Sequence, residues 1–178
     1  MFIEQLSVGE TAESLNTVTQ AHIHTFAGVS GDHNPVHLDA AFAATSVFKG
    51  VIAHGMLSAS FISAIIGTKL PGAGTIYMGQ SLKFLAPVRP GDQVRTVVTV
   101  KEIIPERRRV VCRTLCYVGE TLVIDGDATL MVPTRPAAGQ PVSAPATVPA
   151  GMDAAKLIDP TSLGARPRKR ANASVSQT

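Results

Sequence analysis

An acid and an imidazole stand five positions apart in Ser30-Gly31-Asp32-His33-Asn34-Pro35-Val36-His37-Leu38-Asp39. A carboxylate and an imidazole this close can share one water, one holding it and the other taking its proton. Asn34 and Pro35 lie between them. Proline disfavours helix at the preceding residue, and Asn and Asp side chains tie turns to their own backbone. A second candidate lies at Gly55, in Ala53-His54-Gly55-Met56, where a very apolar segment begins. A glycine lets a ligand approach the main chain, and an N–H at a helix start is a good donor to developing negative charge.

The same residue types serve other chemistries. A metal site wants more ligands at fixed spacing, such as two histidines on one helical face with a third group. His33 and His37 flank a proline turn and complete no such pattern, so no metal is expected. A serine nucleophile on a strained elbow needs G-x-S-x-G, which is absent from the sequence. Cys112 falls in a strand pattern with no helix to activate it. Asp32 and His37 could also simply cap and close a turn. From spacing alone, that reading and the water-handling one remain equally open.

Elements must hold these groups. Ser14, Asn16 and Val18 alternate with Leu15 and Thr17, a weak strand signal. Thr19 can cap a helix whose buried face is Ile23, Phe26 and Ala27. Gly28, Ser30 and Gly31 loosen its end. Residues 32–37 read as a loop, and Asp39 caps a short helix from Ala40 to about Val47, closed by Lys49-Gly50. Met56 to Thr68 has no proline, no charge and only scattered serines, so it is expected to be a helix that other structure surrounds. After Lys69-Leu70-Pro71-Gly72 the period changes to two. Residues 75–87, 93–103, 107–118 and 121–132 read as long strands of an antiparallel meander. One buried helix followed by long antiparallel strands is an α+β architecture, with the sheet curled around the helix.

The 178 residues suit one domain, and 45% of them are hydrophobic. The apolar stretch around Met56–Ile66 is far shorter than the roughly 20 residues a bilayer span needs, so no membrane insertion is expected. Met1–Leu6 has no basic run before an apolar one, so no secretory leader is expected. Cys112 and Cys116 are four apart, about 13 Å along a strand, too far to bridge. They read as buried thiols in a reducing, cytoplasmic setting. From Pro133 onward there are six cations, two carboxylates and seven of the twelve prolines, and residues 1–132 carry a net charge of −1. The basicity therefore belongs to residues 133–178, read as a disordered tail or linker, and not to the body. No nucleic-acid partner is expected. Arg166 to Arg170 in that tail could bind an acidic surface weakly, but a solvated tail is the plainer reading. Arg107-Arg108-Arg109 could meet phosphates, yet reads better as a solvated turn.

Three separated segments carry a family resemblance. They are Phe26-x3-Ser30-Gly31-Asp32-x-Asn34-Pro35-x-His37-x-Asp39, then Ala53-His54-Gly55-Met56, then Gly79-Gln80-Ser81-Leu82-Lys83-Phe84-Leu85-Ala86-Pro87-Val88-x-Pro90-Gly91-Asp92. In this order they resemble the MaoC-like (R)-specific enoyl-CoA hydratases of the hot-dog fold, over roughly residues 8–132. The body also resembles the hydratase module found in front of a phosphate acetyltransferase in some bifunctional proteins. The resemblance implies a hydratase domain at 1–132 that works without a cofactor and pairs as a homodimer or larger homo-oligomer. It implies that Asp32 and His37 activate water, and that Gly55 gives its N–H to the thioester oxygen of an enoyl-CoA. It further implies that Ser63 supports the site from the central helix, with Met56 and Asn34 also taken as substrate contacts. Leu57, Phe61 and Ile65 join Met56 as candidates for an acyl tunnel, or are simply core. The implied reaction is reversible hydration of a trans-2-enoyl-CoA to the (R)-3-hydroxyacyl-CoA, as in fatty acid metabolism. An acyl-CoA thioesterase of the same fold and a non-catalytic acyl-CoA-binding module are the alternatives.

Overall fold

The computed structural model describes residues 1–136. Five strands and four α-helices follow one another among these described residues. They are β1 (Thr11–Thr17), α1 (Gln20–Ser30), α2 (Pro35–Leu38), α3 (Ala40–Thr45), α4 (Gly55–Thr68), β2 (Ile76–Phe84), β3 (Gln93–Ile104), β4 (Arg109–Val118) and β5 (Thr121–Met131). All strand pairings are antiparallel and the order is β1-β3-β4-β5-β2. The α+β expectation holds. The meander holds only for β3-β4-β5. β2 does not pair with its successor β3 but crosses to the far edge beside β5, and β1 pairs with β3. Residues 85–92 make that crossing possible, because Ala53 N–H donates to Val88 O (2.7 Å) and Val18 N–H to Asp92 O (2.9 Å).

One face of the sheet is the core wall. On β3, Val94, Thr96, Val98 and Val100 are buried, and on β4, Val110, Cys112, Thr114 and Cys116. Alternate side chains of a strand point the same way, so each strand supplies every second residue to this face. Their intervening partners stand on the outer face, where Arg113 pairs with Asp125 at 2.7 Å and Lys101 with Asp127 at 3.0 Å. α4 lies across the inner wall and buries Leu57, Ser58, Ala59, Ile62, Ile65 and Ile66. Truncating a fully enclosed residue such as Ile62 to alanine costs about 2–5 kcal/mol.

The sequence expects a helix enclosed on every side, and here the two differ. Met56, Ser60, Ser63, Ala64 and Gly67 form an exposed stripe on α4. The five strands cover only one side of the helix. The two cysteines are buried and free, as expected. The helix expected to reach Val47 stops at Thr45, because Ser46 takes an extended backbone (ψ 170°). Ile3 N–H donates to Pro133 O (2.9 Å) and Arg135 N–H to Glu4 Oε2 (3.1 Å), so residues 133–135 still bond to the N-terminal turn. Most of the expected tail, including Arg166–Arg170, lies outside the described residues.

Candidate active site

The site is built by the ends of α1, α2 and α4. Thr19 caps α1, its hydroxyl accepting from His22 N–H (3.1 Å). Gly31 ends it in the left-handed region at φ 75°, a conformation cheap only for glycine. The chain therefore turns sharply and presents Asp32 two residues later than the last full helical turn. Ser30 Oγ accepts from Asp32 N–H (3.2 Å), and Asp32 Oδ1 accepts from Asn34 N–H (3.2 Å). Asn34 then caps α2, its Oδ1 accepting from Val36 N–H (3.2 Å), with Pro35 at the first helical position, where its missing N–H costs nothing. His37 thus stands on a one-turn helix rather than in the expected loop. Asp39 ends α2 and caps α3, accepting from Ala41 N–H (2.9 Å) and Phe42 N–H (3.0 Å).

His37 is buried, and its Nδ1 lies 2.8 Å from the main-chain oxygen of Ile52. A carbonyl oxygen only accepts, so Nδ1 carries the hydrogen. In the neutral ring Nε2 then keeps its lone pair. Asp32 is half-exposed, with 53% of its side chain open to solvent. Its carboxylate and the imidazoles of His37 and His54 offer donor atoms that all lie within 4.8 Å of one another. At that separation one water can bridge two of the groups. Three such donors could also converge on a cation, which the sequence reading did not anticipate.

His54 is what that reading passed over. It is quoted only as the residue before Gly55, yet it is 97% buried by side chain. Its ring lies against His37, with centroids 3.8 Å apart and planes tilted by 31°, and meets the Phe26 ring at 5.1 Å. Its Nε2 lies 3.0 Å from the main-chain oxygen of Asp32. Phe26 appears in the family pattern quoted above, but sequence shows neither burial nor stacking.

Gly55 opens α4, and as the first helical residue its N–H has no acceptor within the helix. A side chain there would not fit: a Cβ would lie 2.6 Å from Cε1 of Phe84. Gly55 and His37 both line a cavity of about 340 Å³ whose other walls include Phe48, Met56, Phe84, Leu85 and Val123. Ser58 and His37 are the polar side chains on that wall, and the Ser58 hydroxyl has no hydrogen-bond partner among the described residues. Met56 and Phe84 separate this cavity from a second, of about 770 Å³, where Ser63 lies with Tyr77, Met78 and Gln80.

The structure therefore brings Asp32 to His37, and places Gly55 and Met56 on the wall of the cavity that His37 lines; Asp32 stands outside that wall. Ser63 stands exposed over the second cavity, away from His37. Asn34 is engaged as a helix cap. Leu57 and Ile65 belong to the core, and Phe61 packs against it. Arg107 and Arg108 are exposed in the turn before β4.

The MaoC like domain model matches residues 7–120. The chain belongs to this family. An (R)-specific enoyl-CoA hydratase of Rhodospirillum rubrum is 52% identical over 134 residues, 75% of this chain and 93% of that protein. A 3-hydroxybutyryl-CoA dehydratase of Methylorubrum extorquens is 44% identical over 76% of this chain and 86% of that protein. Among solved structures, the (R)-hydratase of Aeromonas caviae superposes with a TM-score of 0.71 at 40% identity, covering 73% of this chain and 99% of its own. This MaoC-like chain therefore has the hot-dog fold, with α4 packed on the inner face of the sheet. No helix among its described residues is long and apolar enough to cross a membrane.

Proposed function

We propose that this MaoC-like protein is an (R)-specific enoyl-CoA hydratase, adding water reversibly to a trans-2-enoyl-CoA. The proposal is carried by an Asp32 carboxylate oxygen and an imidazole nitrogen of His37 lying within 4.8 Å, with Gly55, whose N–H has no acceptor within α4, lining the same cavity as His37. The water sits between Asp32 and His37. One of the pair takes its proton as hydroxide bonds to C3 of the substrate. Charge moves to the thioester oxygen, where the Gly55 N–H meets it at the positive end of α4. The enolate then collects a proton at C2, and the pair returns to its starting state. Both groups lie on one side of the bound double bond, so hydroxide and proton arrive on the same face. The names of the relatives support the (R) product and the CoA thioester.

The catalytic domain spans residues 1–132. Two copies pair, covering the exposed stripe of α4 and the free edge of β2. The free buried thiols suit a cytoplasmic location. The test is loss of enoyl absorbance with crotonyl-CoA and longer homologues, with chiral analysis of the product. Absence of turnover, or an (S) product, would overturn the assignment. Release of free thiol without a hydroxyacyl product would point to a thioesterase instead.

A further inference from the structure

Hydration gives His54 no task, although the fold buries it more deeply than either catalytic side chain. A phenylalanine would fill the same space between Phe26 and His37 without placing polar nitrogens in the interior. The imidazole leaves Nδ1 buried with no partner among the described residues, a desolvation cost without local return. Its other nitrogen, Nε2, explains its presence. The acceptor there is a carbonyl oxygen, so Nε2 carries the hydrogen and donates to Asp32 O (3.0 Å).

That bond is unlike the others at Asp32. The Ser30 and Asn34 contacts each reach only two positions along the chain, and both move with the turn. The His54 bond spans 22 positions and ties the turn to the start of α4. The same ring lies against His37, which the Ile52 carbonyl holds. One rigid group thus touches both members of the catalytic pair and precedes Gly55 directly.

We propose that His54 is a positioning residue, which fixes the Asp32 main chain against the His37 ring at the separation one water can bridge. The proposal rests on the assignment of Asp32 and His37 as the water-handling pair. Without the N–H donor the turn is free to drift, and a displacement of about 1 Å at a reacting group can cost a hundredfold in rate.

The test uses the full chain with crotonyl-CoA as the probe. His54→Phe keeps the ring and removes the donor; His54→Gln keeps an N–H that can reach Asp32 O. We expect His54→Phe to lower kcat by about tenfold to a hundredfold, with KM changed by less than about threefold. His54→Gln should recover most of kcat. Wild-type kcat in a folded His54→Phe, or equal losses in both variants, would overturn the proposal. If neither variant folds, proton NMR decides. The Nε2–H should give a slowly exchanging downfield imidazole signal that persists in Asp32→Asn, because its acceptor is main chain. A signal missing from the wild type, or lost in Asp32→Asn, would overturn the proposal. Full hydratase rate in Asp32→Asn would instead overturn the assignment of the pair, leaving the His54 signal as a separate result.

Discussion

The Nδ1 of His37 lies 2.8 Å from the main-chain oxygen of Ile52. This one contact sets the tautomer of the imidazole, since the carbonyl can only accept. It leaves Nε2 as the basic nitrogen and holds the ring plane still while a proton is exchanged. Ile52 is itself bonded back to α2, its N–H donating to Val36 O at 3.4 Å. The imidazole is therefore braced from the segment that leads into Gly55.

Removing either member of the pair should cost most of the rate. General acid–base groups typically contribute about 10²–10⁴-fold, so Asp32→Asn and His37→Ala should each slow hydration of crotonyl-CoA by about that range. Asp32 is half-exposed, so its amide variant should keep the wild-type circular dichroism and melting temperature. Full rate in Asp32→Asn would remove Asp32 from the mechanism.

Gly55→Ala keeps the N–H and adds a methyl group that collides with Phe84, the nearest ring carbon lying 2.6 Å from its position. The ring must swing aside, and because Phe84 lines both cavities the substrate path changes with it. The expected outcome is a rate loss of about tenfold or more. Phe84→Leu in the same chain should restore part of it. If the double variant is no better than Gly55→Ala, the Phe84 contact is not the cause.

Alkaline pH should weaken the fold through its buried acids. Burial pushes the Cys112 thiol up to about 12 from its ordinary value of 9.0, and Cys116 also shifts upward. The half-exposed Tyr77 is raised to about 12 from 10.0 by its partial burial and by the neighbouring Cys112. In the unfolded chain these groups lose their protons at lower pH than in the folded one. The unfolded state therefore binds fewer protons above about pH 9, and stability falls as pH rises toward 12. Urea midpoints measured from about pH 8 to about pH 11 should decline. Replacing both cysteines with alanine should flatten that slope. In the folded protein at neutral pH, both thiols should resist alkylation.

Pairing of two copies is expected to use β2. The strand pairs with β5 on one side only and exposes Ile76, Tyr77 and Met78. A lysine on such an edge discourages association. Met78→Lys should shift the sedimenting species from dimer to monomer at micromolar concentration. An unchanged dimer would place the contact elsewhere.

Much of the frame was legible in the sequence. The charge-free run at 56–68 marked a helix with a buried face, though not its exposed stripe, and the change to period two after Pro71 marked the strands. The path of β2 was not legible, because periodicity reports which face is buried and not which neighbour a strand takes. Asp32, His37 and Gly55 stood out through motif and chemistry. His54 did not, since a histidine beside a glycine looks the same whether it is exposed or wedged between two rings. Phe84 was hidden for a related reason. It falls in an ordinary strand pattern, and only the missing side chain at Gly55 lets its ring settle there.

The strand order also sets a timetable for assembly. β3, β4 and β5 are joined by short turns and can zip together as successive hairpins. β2 is synthesised before all three, yet its partner is β5, the last of them, so its pairing must wait for a long loop to close. Phe84 sits at the end of β2, paired with Ile124. The wall over Gly55 therefore cannot be set until β5 has left the ribosome. A nascent chain lacking β5 would carry every catalytic residue and still have no closed chamber for chemistry.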